Sequence, residues 1–256
     1  VKRSNPGELA PRISSELQRL GRPDRAAGAK RYLKSELKFF GVDAATMRAT
    51  ARRVLKTAAP MDRAGLLALI RALWSSGVFE LRAVAVEALA SHSSLLEKTD
   101  IAVVERLLRA SHTWALVDSL AVHVAGPMVI RFPELGSTLD RWARARDFWL
   151  RRAAMLTLLL PLRRGGGDFE RFARYADAML EEKEFFIRKA IGWVLRETGK
   201  KRPDLVDAWL RPRVLRASGV TVREAVRYLP TGRRDALVET YREGQATRRR
   251  QTRKGG

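Results

Sequence analysis

One pattern constrains this chain more than any other: a helical motif that returns about every 35 residues. "FELRAVAVEAL" (79–89), "WALVDSLAV" (114–122), "FWLRRAAMLTL" (148–158), "FFIRKAIGWVL" (185–195) and "VTVREAVRYL" (220–229) fit one frame. An apolar residue, a gap, a second apolar residue and a charged or small position lead into small apolar residues. The starts at 79, 114, 148, 185 and 220 are separated by 35, 34, 37 and 35 residues. A period of that size belongs to stacked helical units, each burying its apolar face on its neighbours.

Strand signals are weak throughout, because β-branched alternation is rare and Ala, Leu, Arg and Glu dominate. Amphipathic segments run from about residue 8 to 243, with breaks at "GRPDRAAG", "TAAPMD", "SSGVFE", "RFPELG", "RRGGGD", "GKKRPD" and "ASGVT". The expected fold is all-α, a curved solenoid of HEAT-like two-helix repeats whose second helices line a concave groove. Residues 1–243 are expected to form one repeat domain, and 244–256 a basic tail. The tail segment "ATRRRQTRKGG" is too polar to pack. It fits a DNA-tethering arm and a disordered end equally. "RRGGGD" lacks the Lys-Ser/Thr of a phosphate-binding loop and reads as a linker.

The charge narrows the partners. Fifty Lys and Arg against twenty-eight Asp and Glu give a net +22 and a pI near 11.3. Such a field favours a polyanion, nucleic acid before an anionic membrane. A basic composition inherited from a GC-rich genome is the alternative. The chain has no cysteine, which excludes disulfides, thiolate zinc sites and iron–sulfur clusters. Its histidines, His92, His112 and His123, have no helical metal-ligand spacing, so neither a metal nor any other cofactor is expected. The N-terminal stretch "VKRSNPGELAPRISS" has no apolar run, so no signal peptide is expected. The most apolar run, "AAMLTLLLPL" (153–162), is about half of what a membrane span needs. A soluble protein is expected, with no membrane partner.

The repeat frame brings chemistry together. Its fifth position holds Ala83, Asp118, Arg152, Lys189 and Glu224. Equivalent positions of a solenoid stack along one surface, so Asp118 and Arg152 are expected to be neighbours. Trp114 lies one turn before Asp118, and Trp193 one turn after Lys189. Taken singly, Asp118 also fits a structural ion pair with Arg152, and each tryptophan fits a core position. Taken together, an acid, two bases and two indoles suit a nucleic acid that carries positive charge. Cations hold phosphates, indoles attract a cation or stack on sugar and base, and the carboxylate opposes developing positive charge.

These segments resemble the AlkD family of DNA alkylation-repair glycosylases. The resemblance runs from "AKRYLKSELKFFGV" (29–42) through "ELRAVAVEAL", "TWALVD", "FWLRRAAML" and "EFFIRKAIGWVLRE" to "REAVRYL". It is most specific over "KEFFIRKAIGWVLRE" (183–197). It implies hydrolysis of the N-glycosidic bond of N3- or N7-alkylated purines in duplex DNA, with Asp118 as the catalytic carboxylate. Trp114, Trp193 and Arg152 accompany it. Tyr32 matches an aromatic residue that faces DNA, and Arg151, Arg188 and Lys189 are expected among the DNA-binding bases.

The implied chemistry is coherent. An alkylated purine is already a cationic leaving group, so one carboxylate suffices where most glycosidases need two. The resemblance also implies that the lesion stays largely stacked. The chain departs from the family at Thr113 and Ala115, where a second Trp and an Asp are common. A non-catalytic module binding DNA or structured RNA, and a protein–protein adaptor, are the other readings. A monomer acting in base excision repair, cytoplasmic and nucleoid-associated, is expected.

Overall fold

The computed structural model describes residues 6–56 and 61–254. It is all-α, and the described residues contain no strand, only a single bridge from Lys38 to Val78. The break expected at "TAAPMD" falls mostly outside the described residues. Two compact units divide the chain, 1–135 and 136–256.

The first unit holds α1 (Pro6–Leu20), α2 (Pro23–Leu33), α3 (Ala44–Lys56), α4 (Arg63–Ser75) and α5 (Phe79–Ser91). It continues through α6 (Ile101–Arg109), α7 (Trp114–Leu120) and α8 (Gly126–Arg131). Helix α1 shows why these segments are helical. Leu9, Ile13 and Leu17 recur every fourth residue and are fully buried, giving one apolar stripe. That stripe packs on α4, whose Leu66, Leu69, Ile70 and Leu73 are buried in turn. Each such side chain contributes about 1.5–3 kcal/mol on leaving water. Asp62 caps α4 by accepting from the Gly65 amide at 2.7 Å. Helix α5 sits at the centre of the unit, packed on α3, α4 and α7 and buried on most of its surface.

The second unit holds α9 (Gly136–Trp142), α10 (Phe148–Thr157), α11 (Leu159–Arg163) and α12 (Phe169–Met179). It ends with α13 (Phe185–Gly199), α14 (Pro203–Leu210), α15 (Gly219–Ala225) and α16 (Thr231–Lys254). Here α13 takes the central place, packed on α10, α11, α14 and α15. Gly192 allows the closest of these approaches. A Cβ there would stand 2.7 Å from the Glu224 Cβ and 3.1 Å from the Thr221 carbonyl oxygen.

The sequence period reappears as a spacing of contacts. Arg63 pairs with Asp100, 37 residues on, at 2.7 Å. Tyr175 donates to Asp140 across 35 residues, Arg213 pairs with Asp177 across 36, and Lys189 pairs with Glu224 across 35. Equivalent elements of successive repeats therefore touch within each unit.

Two of the expected breaks are narrower than their composition suggests. Proline opens α2 at Pro23 and α14 at Pro203, where its missing N–H costs nothing. "GRPDRAAG" thus contributes only Gly21 and Arg22 to a connection, and the rest is helix. "RRGGGD" does connect two helices, with Gly165 and Gly167 in the left-handed region at φ 91° and 76°. From 244, where a separate tail was expected, α16 continues as helix to Lys254. Ala, Gln and Arg are good helix formers, and the described side chains from Ala246 onward are exposed.

Candidate functional site

In the first unit the sequence-derived site residues lie on α2 and α7. Helix α7 starts at Trp114 with Thr113 in the extended N-cap conformation. The buried Thr113 hydroxyl donates to the Leu33 carbonyl oxygen at 3.3 Å, a tie spanning 80 residues of sequence. It fastens the end of α2 to the start of α7. Lys34 terminates α2 in the left-handed conformation, at φ 48°. Tyr32, the last residue but one of α2, is 73% exposed and meets the half-buried Trp114 ring edge-on at 5.7 Å. Asp118, one turn after Trp114, is only 9% exposed.

Past Leu120 the helix widens into a π turn, Ala121–Ala125, and continues as α8. Pro127 explains the widening. It has no N–H to give to the carbonyl four residues back, and its ring crowds that carbonyl. Helix α7 itself sits on an apolar shelf. Leu116, Val117 and Leu120 are buried, and α5 and α6 pack against the helix.

In the second unit the site residues lie on α10 and α13. Asp147 caps α10 by accepting from the Trp149 amide at 2.9 Å. Glu184 does the same for α13 through the Phe186 amide at 3.1 Å. Arg152 is buried, donates to the Phe186 carbonyl, and places its guanidinium 5.8 Å from the Phe186 ring centroid. Phe186 lies within the quoted motif "KEFFIRKAIGWVLRE", yet sequence reasoning assigned it no part. The signal was available, because Phe186 follows Arg152 by 34 residues, one repeat.

Arg151 donates to the Ala145 and Arg146 carbonyls at 2.7 and 2.9 Å and pairs with Glu182 at 2.8 Å. Arg188 donates to the Glu182 carbonyl at 2.6 Å. Lys189 and Arg196 both pair with Glu224. Burial pushes the Glu224 carboxyl up, but the two cations outweigh it and hold the group below the usual glutamate range. Trp193, half-buried on α13, follows Lys189 by one turn. Among the described residues, no group of three or more His, Asp or Glu side chains could hold a metal ion. No helix of the described residues is long and apolar enough to cross a membrane.

The family model for the DNA alkylation repair enzymes matches residues 13–229. The chain belongs to that family.

Three solved structures share the fold of this repair-family chain. A predicted DNA alkylation repair enzyme from Enterococcus faecalis is 24% identical, with a TM-score of 0.74 over 82% of this chain and 97% of its own. The smu.31 protein of Streptococcus mutans UA159 is 20% identical, with a TM-score of 0.57 over 72% of this chain and 94% of its own. AlkD2 from Streptococcus mutans is 17% identical, with a TM-score of 0.55 over 89% of this chain and all of its own. No functionally curated protein matches the chain significantly. The family match takes in every one of these site residues, from Tyr32 to Trp193.

Proposed function

We propose that the protein is a monofunctional DNA glycosylase that hydrolyses the N-glycosidic bond of cationic N3- or N7-alkylated purines in duplex DNA. One turn of α7 carries the reading. A nearly covered carboxylate, Asp118, follows a half-buried indole, Trp114, which itself meets the exposed Tyr32 edge-on. Membership of the DNA alkylation repair enzyme family supplies the setting, and a net charge of +22 supplies the attraction to a polyanion.

The bond between C1′ and the purine nitrogen breaks, and its electron pair leaves with the base. The cationic base departs neutral, so no general acid is required. Positive charge appears on the deoxyribose in an oxocarbenium-like transition state. Asp118 opposes that charge and orients water, whose oxygen bonds to C1′. The water's proton passes to the carboxylate or to solvent, leaving an abasic sugar. Trp114 and Trp193 add cation–π attraction that grows as the sugar becomes positive. Arg152, buried and braced by Phe186, adds positive field at the flanking phosphate.

Tyr32 and Arg188 complete the proposed grip on DNA. Arg151 and Lys189, each already ion-paired, contribute positive field rather than phosphate clamps. The enzyme works as a monomer, leaves the lesion largely stacked, and has no lyase step, because no lysine is assigned a Schiff-base role. A non-catalytic DNA- or structured-RNA-binding protein is the second reading. It draws on Thr113 and Ala115, and on an Asp118 that is only 9% exposed.

The experiment is release of free 7-methylguanine and 3-methyladenine from methylated duplex DNA. The proposal expects both bases in solution and an intact strand carrying abasic sites. Tight DNA binding with no base released would favour the second reading.

A further inference from the structure

Helix α16 stands outside everything the site uses. The family match ends at residue 229, and α16 runs from Thr231 to Lys254. Its first half docks: Leu237 is buried, and Gly244 lets the helix pass against Leu215, whose Cδ2 would stand 2.3 Å from a Cβ there. The charge changes character at that same point. Residues 231–243 carry three bases, Arg233, Arg234 and Arg242, against three acids, Asp235, Glu239 and Glu243. Arg233 and Arg234 are paired, with Asp204 and Asp235. Residues 244–256 carry Arg248, Arg249, Arg250, Arg253 and Lys254 and no acid at all.

This second half has no apolar stripe to bury, and its described side chains from Ala246 onward are exposed. Burial of apolar surface therefore does not explain the helix. Its composition works against it, since five bases gather in this segment with no acid to offset them. A polyanion lying along the helix turns their mutual repulsion into attraction. At about 1.5 Å per residue, the segment 244–254 extends far enough to meet several phosphates, which follow one another every ~1.7 Å along duplex DNA.

We propose that the second half of α16 is a phosphate-binding arm that grips the DNA backbone outside the family core. It rests on the DNA-binding part of the function proposed above. The arm raises affinity without reading sequence or lesion, because phosphate contacts position a protein and carry no base information. It leaves the chemical step untouched.

The test compares wild type with a variant of the full chain carrying Arg248→Gln, Arg249→Gln, Arg250→Gln, Arg253→Gln and Lys254→Gln. Binding to an undamaged duplex oligonucleotide is measured between about 50 and 200 mM salt, where each phosphate contact adds about 0.9 to the slope of log K on log salt. The expected result is a slope shallower by about two or more in the variant. Base release at saturating duplex is unchanged. A second variant, with lysine at the four arginines, keeps the wild-type slope, which separates charge from helix packing.

Equal slopes and affinities for wild type and the glutamine variant would overturn the arm while leaving the glycosylase reading intact. A loss confined to structured RNA or to phosphatidylserine vesicles, with duplex binding unaltered, would overturn it too. Wild type that binds no duplex at low salt would overturn both proposals together.

Discussion

Helices α7 and α15 carry carboxylates at the same position of the repeat, and the two carboxylates live in different surroundings. Glu224 on α15 pairs with Lys189 and Arg196 from the neighbouring α13, and close packing at Gly192 holds the helices together. It works as a structural cross-link. Asp118 on α7 follows the indole that meets Tyr32, on a helix whose start is tied to α2 by one hydroxyl. The repeat frame dictates where the fifth position points. At Glu224 that position fastens two helices, and at Asp118 it is the one to which the proposed function assigns chemistry.

Stability should separate the regions first. Glu80 is buried and accepts from the amides of Phe40, Gly41 and Val42 at 3.0, 2.8 and 3.2 Å. Glu80→Ala should destabilise the first unit by about 3 kcal/mol, because the buried Gly41 amide and the half-buried Phe40 and Val42 amides all lose their acceptor, and a buried unsatisfied group costs about 1–3 kcal/mol. Denaturant unfolding reads this. An effect within about 0.5 kcal/mol, the size of an ordinary surface change, would contradict the described packing. Gly192→Ala should follow, at about 1–3 kcal/mol, since the new methyl meets Glu224 and the Thr221 backbone. Unaltered thermal stability would show that α13 and α15 approach less closely than described.

The pH dependence sharpens the same contrast. Glu224 has its carboxyl held below the ordinary glutamate value of 4.5 in the folded state. Its contribution is therefore complete above that value and is lost as pH falls through the lower folded value. Glu224→Gln should flatten the stability profile below pH 4.5 and leave it parallel to wild type above. Urea midpoints across that range check it, and an unchanged acid limb would break the cross-link account. The smallest effect is expected at Thr113. Thr113→Val removes the bond to the Leu33 carbonyl and should cost about 1 kcal/mol. Base release should also weaken as the Tyr32–Trp114 pair loosens. Full activity with full stability would mean that the hydroxyl positions nothing.

Much of this was legible in the sequence, because the repeat is periodic and the period fixes which elements touch. The all-α class follows from it, and the pairing of Lys189 with Glu224 accords with equivalent positions stacking, although Lys189 was expected among the DNA-binding bases. Other features were not legible, for physical reasons. The role of Phe186 depends on a backbone carbonyl, and every residue has one. Thr113 acts across 80 residues of sequence, a distance no periodicity predicts. Glu80 sits in an apolar helical motif, where its task is to accept three amides of a distant turn. The prolines at 23 and 203 read as breaks by composition but open helices, because the first turn needs no N–H from them.

The most direct test of the contrast sets Asp118→Asn beside Glu224→Gln, measuring single-turnover release of 7-methylguanine together with melting temperature. The account predicts that Asp118→Asn lowers release by roughly 100-fold or more while DNA affinity is kept. Glu224→Gln should lower the melting temperature and keep release. Equal release from wild type and Asp118→Asn, or loss of release in Glu224→Gln at full stability, would contradict it.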